Sequence, residues 1–116
     1  MKFKVLPSTR IKKRYVAFKL ISSGPVQLAN IKDSIRASII KWIGEKGFGE
    51  SGYKFITWDE KQKIGIIRCN HTFVDDIKVA LALVHQIGDE HVIFASFRVS
   101  GTIKGLGKER PKVVEE

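Results

Sequence analysis

The order of strand-like and helix-like segments in this chain predicts an α+β fold. The expected architecture is a ferredoxin-like βαββαβ sandwich, with two helices on one face of a four-stranded antiparallel sheet. Three observations predict it. Four stretches, residues 14–22, 53–58, 63–69 and 91–99, alternate in polarity or are rich in β-branched and aromatic residues. Two longer stretches each carry a single apolar stripe at helical spacing. The second and third strand-like stretches are joined by the short polar turn Asp59-Glu60-Lys61-Gln62, which implies an antiparallel hairpin.

The chain's 116 residues suit one domain, with a core over about 14–100, a basic arm over 1–13 and a basic tail over 101–116. Apolar residues make up 43% and charged residues 28%, so a real core is expected rather than disorder. Cys69 is the only cysteine and cannot form an internal disulfide. Lysine and arginine number 21 against 12 acidic residues, a net charge of +9. That excess speaks about partners, nucleic acid first and an anionic membrane surface second. No apolar run approaches the roughly 20 residues that span a bilayer. The first residues, Met1-Lys2-Phe3-Lys4-Val5-Leu6-Pro7, lack an apolar stretch of signal-peptide length. A soluble cytoplasmic protein is expected.

The first strand begins inside a basic cluster, Arg10-Ile11-Lys12-Lys13-Arg14. No acidic residue precedes Asp33. From residue 14 onward Val16, Phe18 and Leu20 share one face, and Tyr15, Ala17, Lys19 and Ile21 the other. Ser22-Ser23-Gly24-Pro25 is turn chemistry. A helix is expected over about 26–43, with the stripe Leu28, Ile31, Ile35, Ile39 and Trp42. Gly44 is expected as its C-terminal stop. Residues 44–52 hold four glycines and read as a loop, anchored to the core by Phe48. In the second helix Thr72 can cap, with Asp75 three residues on. Its stripe runs Phe73, Ile77, Ala80, Leu81, Val84 and Ile87, and Gly88 ends it.

Two helices on one face leave the other face open to water or a partner. Arg68 has the parity of Ile64 and Ile66, and Arg98 that of Val92, Phe94 and Ser96. Either these line the open face together with Tyr15 and Lys19, or a bulge shifts the parity and Ile66 and Phe94 belong to the core. RNA-binding modules of this topology, RRM-like sheets, stack bases on aromatics of the two central strands, which in this order are the first and the third. The third strand here has none, so contact with phosphates by basic residues is expected instead.

No catalytic arrangement emerges. His71, His85 and His91 lack metal-ligand spacing with a matching carboxylate or thiolate. Asp75-Asp76 open a helix, where negative charge is ordinarily favourable. The glycines of 101–108 do not have P-loop spacing. No metal site and no protein-bound cofactor is expected.

Four blocks together resemble a known family. They are Arg14-Tyr15-Val16-Ala17-Phe18, Gly65-Ile66-Ile67-Arg68-Cys69, Val79-Ala80-Leu81-Ala82-Leu83-Val84 with Gly88, and Val99-Ser100-Gly101-Thr102-Ile103-Lys104. In this order they are similar to the archaeal ribonuclease P protein component 2 family, related to the eukaryotic Pop-five subunit. The resemblance implies a subunit of a ribonucleoprotein endonuclease, a hydrolase that removes the 5′ leader of precursor tRNA. It implies that a catalytic RNA performs the chemistry with magnesium held by that RNA. It implies the ribonuclease P RNA as partner, precursor tRNA indirectly, the TIM-barrel-like protein component 3, and a dimer of such heterodimers. The residues expected at RNA are Arg10, Lys12, Lys13, Arg14, Lys19, Arg68, Arg98 and Lys104. Those expected at the protein partner are Tyr15, Ile66 and Phe94. The competing expectation is a ferredoxin-like interaction or regulatory module that touches protein alone.

Overall fold

The structure, a computed structural model, describes residues 12–105. Strand β1 (Lys13–Ser22) leads into helix α1 (Leu28–Ser51). A hairpin of β2 (Lys54–Asp59) and β3 (Ile64–Asn70) comes next, and a 3-10 turn (His71–Phe73) opens helix α2 (Val74–Leu83). A second hairpin, β4 (Gln86–Ile87) and β5 (Glu90–Ser100), completes the fold. The strands form one sheet in the order β2-β3-β1-β5-β4, with every pairing antiparallel. β1 and β3 are interior strands, as the sequence predicts.

The helices cover one face. Ile31, Ile35 and Ile39 of α1 and Ile77, Ala80 and Leu81 of α2 pack on Val16, Phe18, Leu20, Ile67, Cys69, Val92 and Phe94. Phe18 is the centre of this layer. Its ring centroid lies 5.5 Å from that of Phe94 and 6.2 Å from those of Phe55 and Trp58. Gly65 of β3 stands opposite Phe18 of β1 and opposite Trp58 of β2. A Cβ on Gly65 would come within 2.4 Å of the Phe18 ring, so glycine gives that ring its room. Two polar bridges join the helices. Ser38 Oγ donates to the Ala80 carbonyl at 2.7 Å, and Trp42 Nε1 to Asp76 Oδ1 at 3.1 Å.

Several local expectations are corrected. The sheet has five strands, not four. Val84 and Ile87 are buried as expected, but from outside α2, because the backbone becomes extended at Val84 (φ −74°, ψ 118°). Apolar residues three apart fit one helical stripe or a linker and short strand equally well. Pairing of Gln86 with His91 and of Ile87 with Glu90 gives the second solution its backbone partners. Gly88 (φ +60°) turns that hairpin and does not end α2. Thr72 caps nothing, since Phe73 is the N-cap residue of α2 and no side-chain cap is made. Residues 45–51 are helical rather than a loop. Gly44, with φ +80° and ψ 168°, breaks α1 where a stop was expected, and helical geometry resumes beyond it. Phe48 does anchor this turn, 5.7 Å from the Tyr53 ring, with the Arg36 guanidinium 5.5 Å from its own ring centre. Trp42 leaves the buried stripe and is exposed.

No helix among the described residues is long and apolar enough to cross a membrane. Replacing Gly65 with alanine should overpack the Phe18 site and cost about 1–3 kcal/mol, read as a lower urea midpoint with unchanged m. A second effect concerns Cys69, which is buried opposite Arg14. Burial pushes its thiol from the ordinary 9.0 up to about 11, with Lys13 pulling the other way. Between those values the unfolded chain gives up the proton and the folded chain keeps it. Stability should therefore be intact below pH 9, fall as pH rises toward 11, and level off beyond. Urea midpoints measured across that range should show the fall in the natural protein and lose this component in Cys69→Ala.

Candidate nucleic-acid interface

Antiparallel register sets side chains in rows across the sheet, and alternate rows face away from the helices. The first open-face row is Lys54, Arg68, Tyr15 and Ser100, from β2, β3, β1 and β5. The second is Thr57, Ile66, Ala17 and Arg98. The third is Asp59, Ile64, Lys19 and Ala95. Lys19, Lys54 and Arg98 are exposed, and Arg68 is half-buried. Four cations thus stand on one face with Asp59 as the carboxylate of these rows.

Two bulges decide that composition. In β5 the register shifts so that Ser96 opposes Phe18 and Arg98 opposes Ala17, which leaves Phe97 as the extra residue. Before the bulge Val92 and Phe94 point to the helices, and after it Arg98 points away. In an unbroken strand Arg98 would share the Phe94 face. The second bulge is at Ile56, between Phe55 opposite Ile67 and Thr57 opposite Ile66. It directs Ile56 into a small cluster with Ala17 and Ile66. One extra residue in a strand bends it and re-aims the side chains beyond the bulge.

The chain after β5 turns back onto this face. Ile103 packs, with Tyr15, against Ala17, Ile56 and Ile66. Arg98 Nε donates to the Gly105 carbonyl at 3.3 Å, and the Thr102 amide donates to Ser100 Oγ at 3.2 Å. The middle of the open face is therefore capped by an aliphatic side chain. Tyr15 is the one aromatic of β1 and β3 on this face, because Phe18 points to the helices. A platform for stacked bases is absent from these two strands, and the surrounding cations suit phosphates.

The other expected residues fall into place around this face. Arg10 lies outside the described residues. Lys12 is exposed, its carbonyl accepting from the His71 amide at 2.7 Å. Lys13 Nζ donates to Asn70 Oδ1 at 2.7 Å, while Asn70 Nδ2 holds the Glu50 carbonyl at 2.8 Å. Arg14 alternates with Val16 and so sits on the other side of the sheet from Arg68; its Nη1 donates to the Lys13 carbonyl at 2.9 Å. Lys104 is exposed on the turn that carries Ile103. Of the expected partner residues, Tyr15 is half-buried on the open face. Ile66 has the expected face but is fully buried under its cluster. Phe94 is corrected to the helix-side core, because the bulge comes after it.

Lys54 and Ile103 escaped the sequence reading. The β2 register is hidden by the Ile56 bulge, and the reversal after β5 has no local signal beyond Gly101 and Gly105. Elsewhere, Glu60 is held below its ordinary range by hydrogen bonds from Lys63 and then Trp58, which lock the β2–β3 turn. Burial pushes the Tyr53 phenol up, partly opposed by Arg36. Among the described residues no group of three or more His, Cys, Asp or Glu side chains could hold a metal. On the helix side, a cavity of about 580 Å³ is lined by Trp42, Lys41, Leu83 and His85.

Residues 14–110 match the model of the Rpp14/Pop5 family. The chain is similar to archaeal proteins named ribonuclease P protein component 2. It is 37% identical over 110 residues to that of Pyrococcus abyssi, covering 94% of this chain and 93% of the relative. It is 39% identical over 107 residues to that of Pyrococcus furiosus, covering 91% and 89%. It is 34% identical over 101 residues to that of Methanosarcina barkeri, covering 87% and 73%. In shape it is similar to a chain in the cryo-EM structure of yeast ribonuclease MRP, with a TM-score of 0.63 and 14% identity, over 82% of this chain and 78% of that one.

Shortening Ile103 to alanine removes part of the cap over Ala17, Ile56 and Ile66. It should cost about 1–2 kcal/mol in urea unfolding and speed amide exchange over residues 101–105.

Proposed function

The chain belongs to the Rpp14/Pop5 family and is a protein subunit of ribonuclease P, and from that premise we propose that it binds the catalytic RNA through the open face of its sheet. In this reading the protein contributes charge and shape, and the RNA, holding magnesium, removes the 5′ leader of precursor tRNA. The observation that carries the subunit assignment is 37% identity, over 94% of this chain, to a ribonuclease P protein component 2. The observation that supports RNA contact on the sheet is the grouping of Lys19, Lys54, Arg68 and Arg98 on a face with little negative charge.

A compact RNA fold brings phosphates together, and cations that bind the compact form better than the open one shift the population toward it. Bound lysines and arginines also release counterions, so affinity falls steeply with salt. Tyr15 and the cations around Ile103 contact backbone rather than bases in this reading. Exposed apolar residues support a protein partner as well. Ile21 and Ile93 oppose each other across β1 and β5 at 53% and 60% exposure, and Trp42 of α1 and Leu83 of α2 are exposed. We assign that partner to the TIM-barrel-like component 3, with a dimer of heterodimers as the assembly.

Reconstitution of the ribonuclease P RNA with its protein set, with and without this chain, tests the reading. Omission should depress precursor tRNA cleavage at moderate magnesium, and extra magnesium should restore part of it. Unchanged cleavage would sink the proposal. Arg68→Ala and Arg98→Ala should each weaken RNA binding and lower the salt slope by about one.

A further inference from the structure

Lys54 and Arg68 stand directly opposite each other across the β2–β3 ladder, on the open face. Directly opposed side chains in an antiparallel pair have Cβ atoms about 4.5–5.5 Å apart, and like charges there repel. Neither residue has a carboxylate partner among the described residues. Arg68 is half-buried, and its Nε is enclosed without a hydrogen-bond acceptor. Enclosed donors in folded proteins are almost always satisfied, so an orphaned guanidinium nitrogen beside a second cation is an unfinished arrangement. The next residue in the row is Tyr15, which adds a phenol and no negative charge.

We propose that Lys54 and Arg68 form a two-cation clamp for one backbone phosphate of RNA, completed only when that phosphate is present. The inference rests on the RNA-contact reading of the open face and names one site within it. An anion between two opposed cations replaces a repulsion with two attractions. The planar guanidinium offers the paired donors that suit two phosphate oxygens, and the lysine adds a point charge from the neighbouring strand. A small shift that turns the Nε–Nη edge toward the phosphate gives Nε the acceptor it lacks in the free protein. The clamp lies at one end of the capped middle, so the RNA strand meets it beside Ile103 rather than across it. Because it reads phosphate, it sets register without sequence preference.

The clamp makes a prediction that an ordinary surface lysine does not. Removing the lysine charge should stabilise the free protein and weaken its RNA complex. For Lys54→Gln in the full chain, Tm should rise by roughly 1–4 °C at low salt, and the gain should shrink in 1 M salt. Affinity for in vitro transcribed ribonuclease P RNA of the same organism should fall roughly five- to tenfold at 0.1 M salt, with the log–log salt slope reduced by about one. Lys78→Gln, on the helix layer, should change neither. A lower Tm in Lys54→Gln, or a salt slope unchanged there while Arg98→Ala reduces it, overturns the clamp and leaves RNA binding by the face intact. Salt-independent binding by the natural protein overturns the clamp together with the reading it rests on.

Discussion

Phe18 seated over Gly65 is the contact on which the rest of the sheet depends. The ring touches the aromatic groups of β2 and β5 and occupies space that any side chain at position 65 would fill. That contact fixes β1 against β3 in a single register. A slip of one residue would turn Phe18 toward solvent and bring Lys19 under the helices, at a cost of several kcal/mol of lost burial alone. Once Phe18 faces the helices, Tyr15, Ala17 and Lys19 face away, and their partners Arg68, Ile66 and Ile64 do the same. The helix-side core and the composition of the open face are two results of one packing decision.

The open face then has to accommodate both apolar and cationic residues. Ala17, Ile56 and Ile66 form a small buried cluster, and Ile103 and Tyr15 pack against it. The cations lie around that cover. In this arrangement the aliphatic centre anchors the turn after β5, and the rim carries the charge. It differs from a base-stacking sheet in physical terms. Aromatics in the middle of a sheet offer flat surfaces to single-stranded bases, whereas a capped centre with a charged rim offers charge and hydrogen-bond donors suited to a phosphate backbone. Family membership makes the chain a ribonuclease P protein subunit, and the charged rim is the part of the face proposed above to meet RNA.

Part of the site was legible because alternation is local. Lys19, Tyr15, Ile64, Ile66 and Arg68 keep the faces that simple parity assigns them. Arg98 and Phe94 share parity in sequence but not in space, because the bulge at Phe97 absorbs one residue between them. Nothing in Ala95-Ser96-Phe97-Arg98 announces a bulge. The helical stripe of α2 misled in a related way. Val84 and Ile87 are buried as a helix would bury them, but an extended segment reaches the same core and also supplies a fifth strand.

Local pattern along the chain suffices for the α+β class, the order of the main elements, the interior position of β1 and β3, the break at Gly44, and the excess of positive charge. Those features come from hydrophobic period, turn chemistry and composition, all of which act over a few residues. Which cations meet is a tertiary matter. Lys54 and Arg68 are 14 residues apart in sequence, and Arg98 is 30 beyond Arg68. Their common face depends on hairpin register, two bulges and the return of Ile103 onto the sheet. Each of these is settled by competition between whole packings, in which one buried ring or one satisfied backbone pair outweighs local preference. That competition takes place between distant segments, so it leaves no pattern within any one of them.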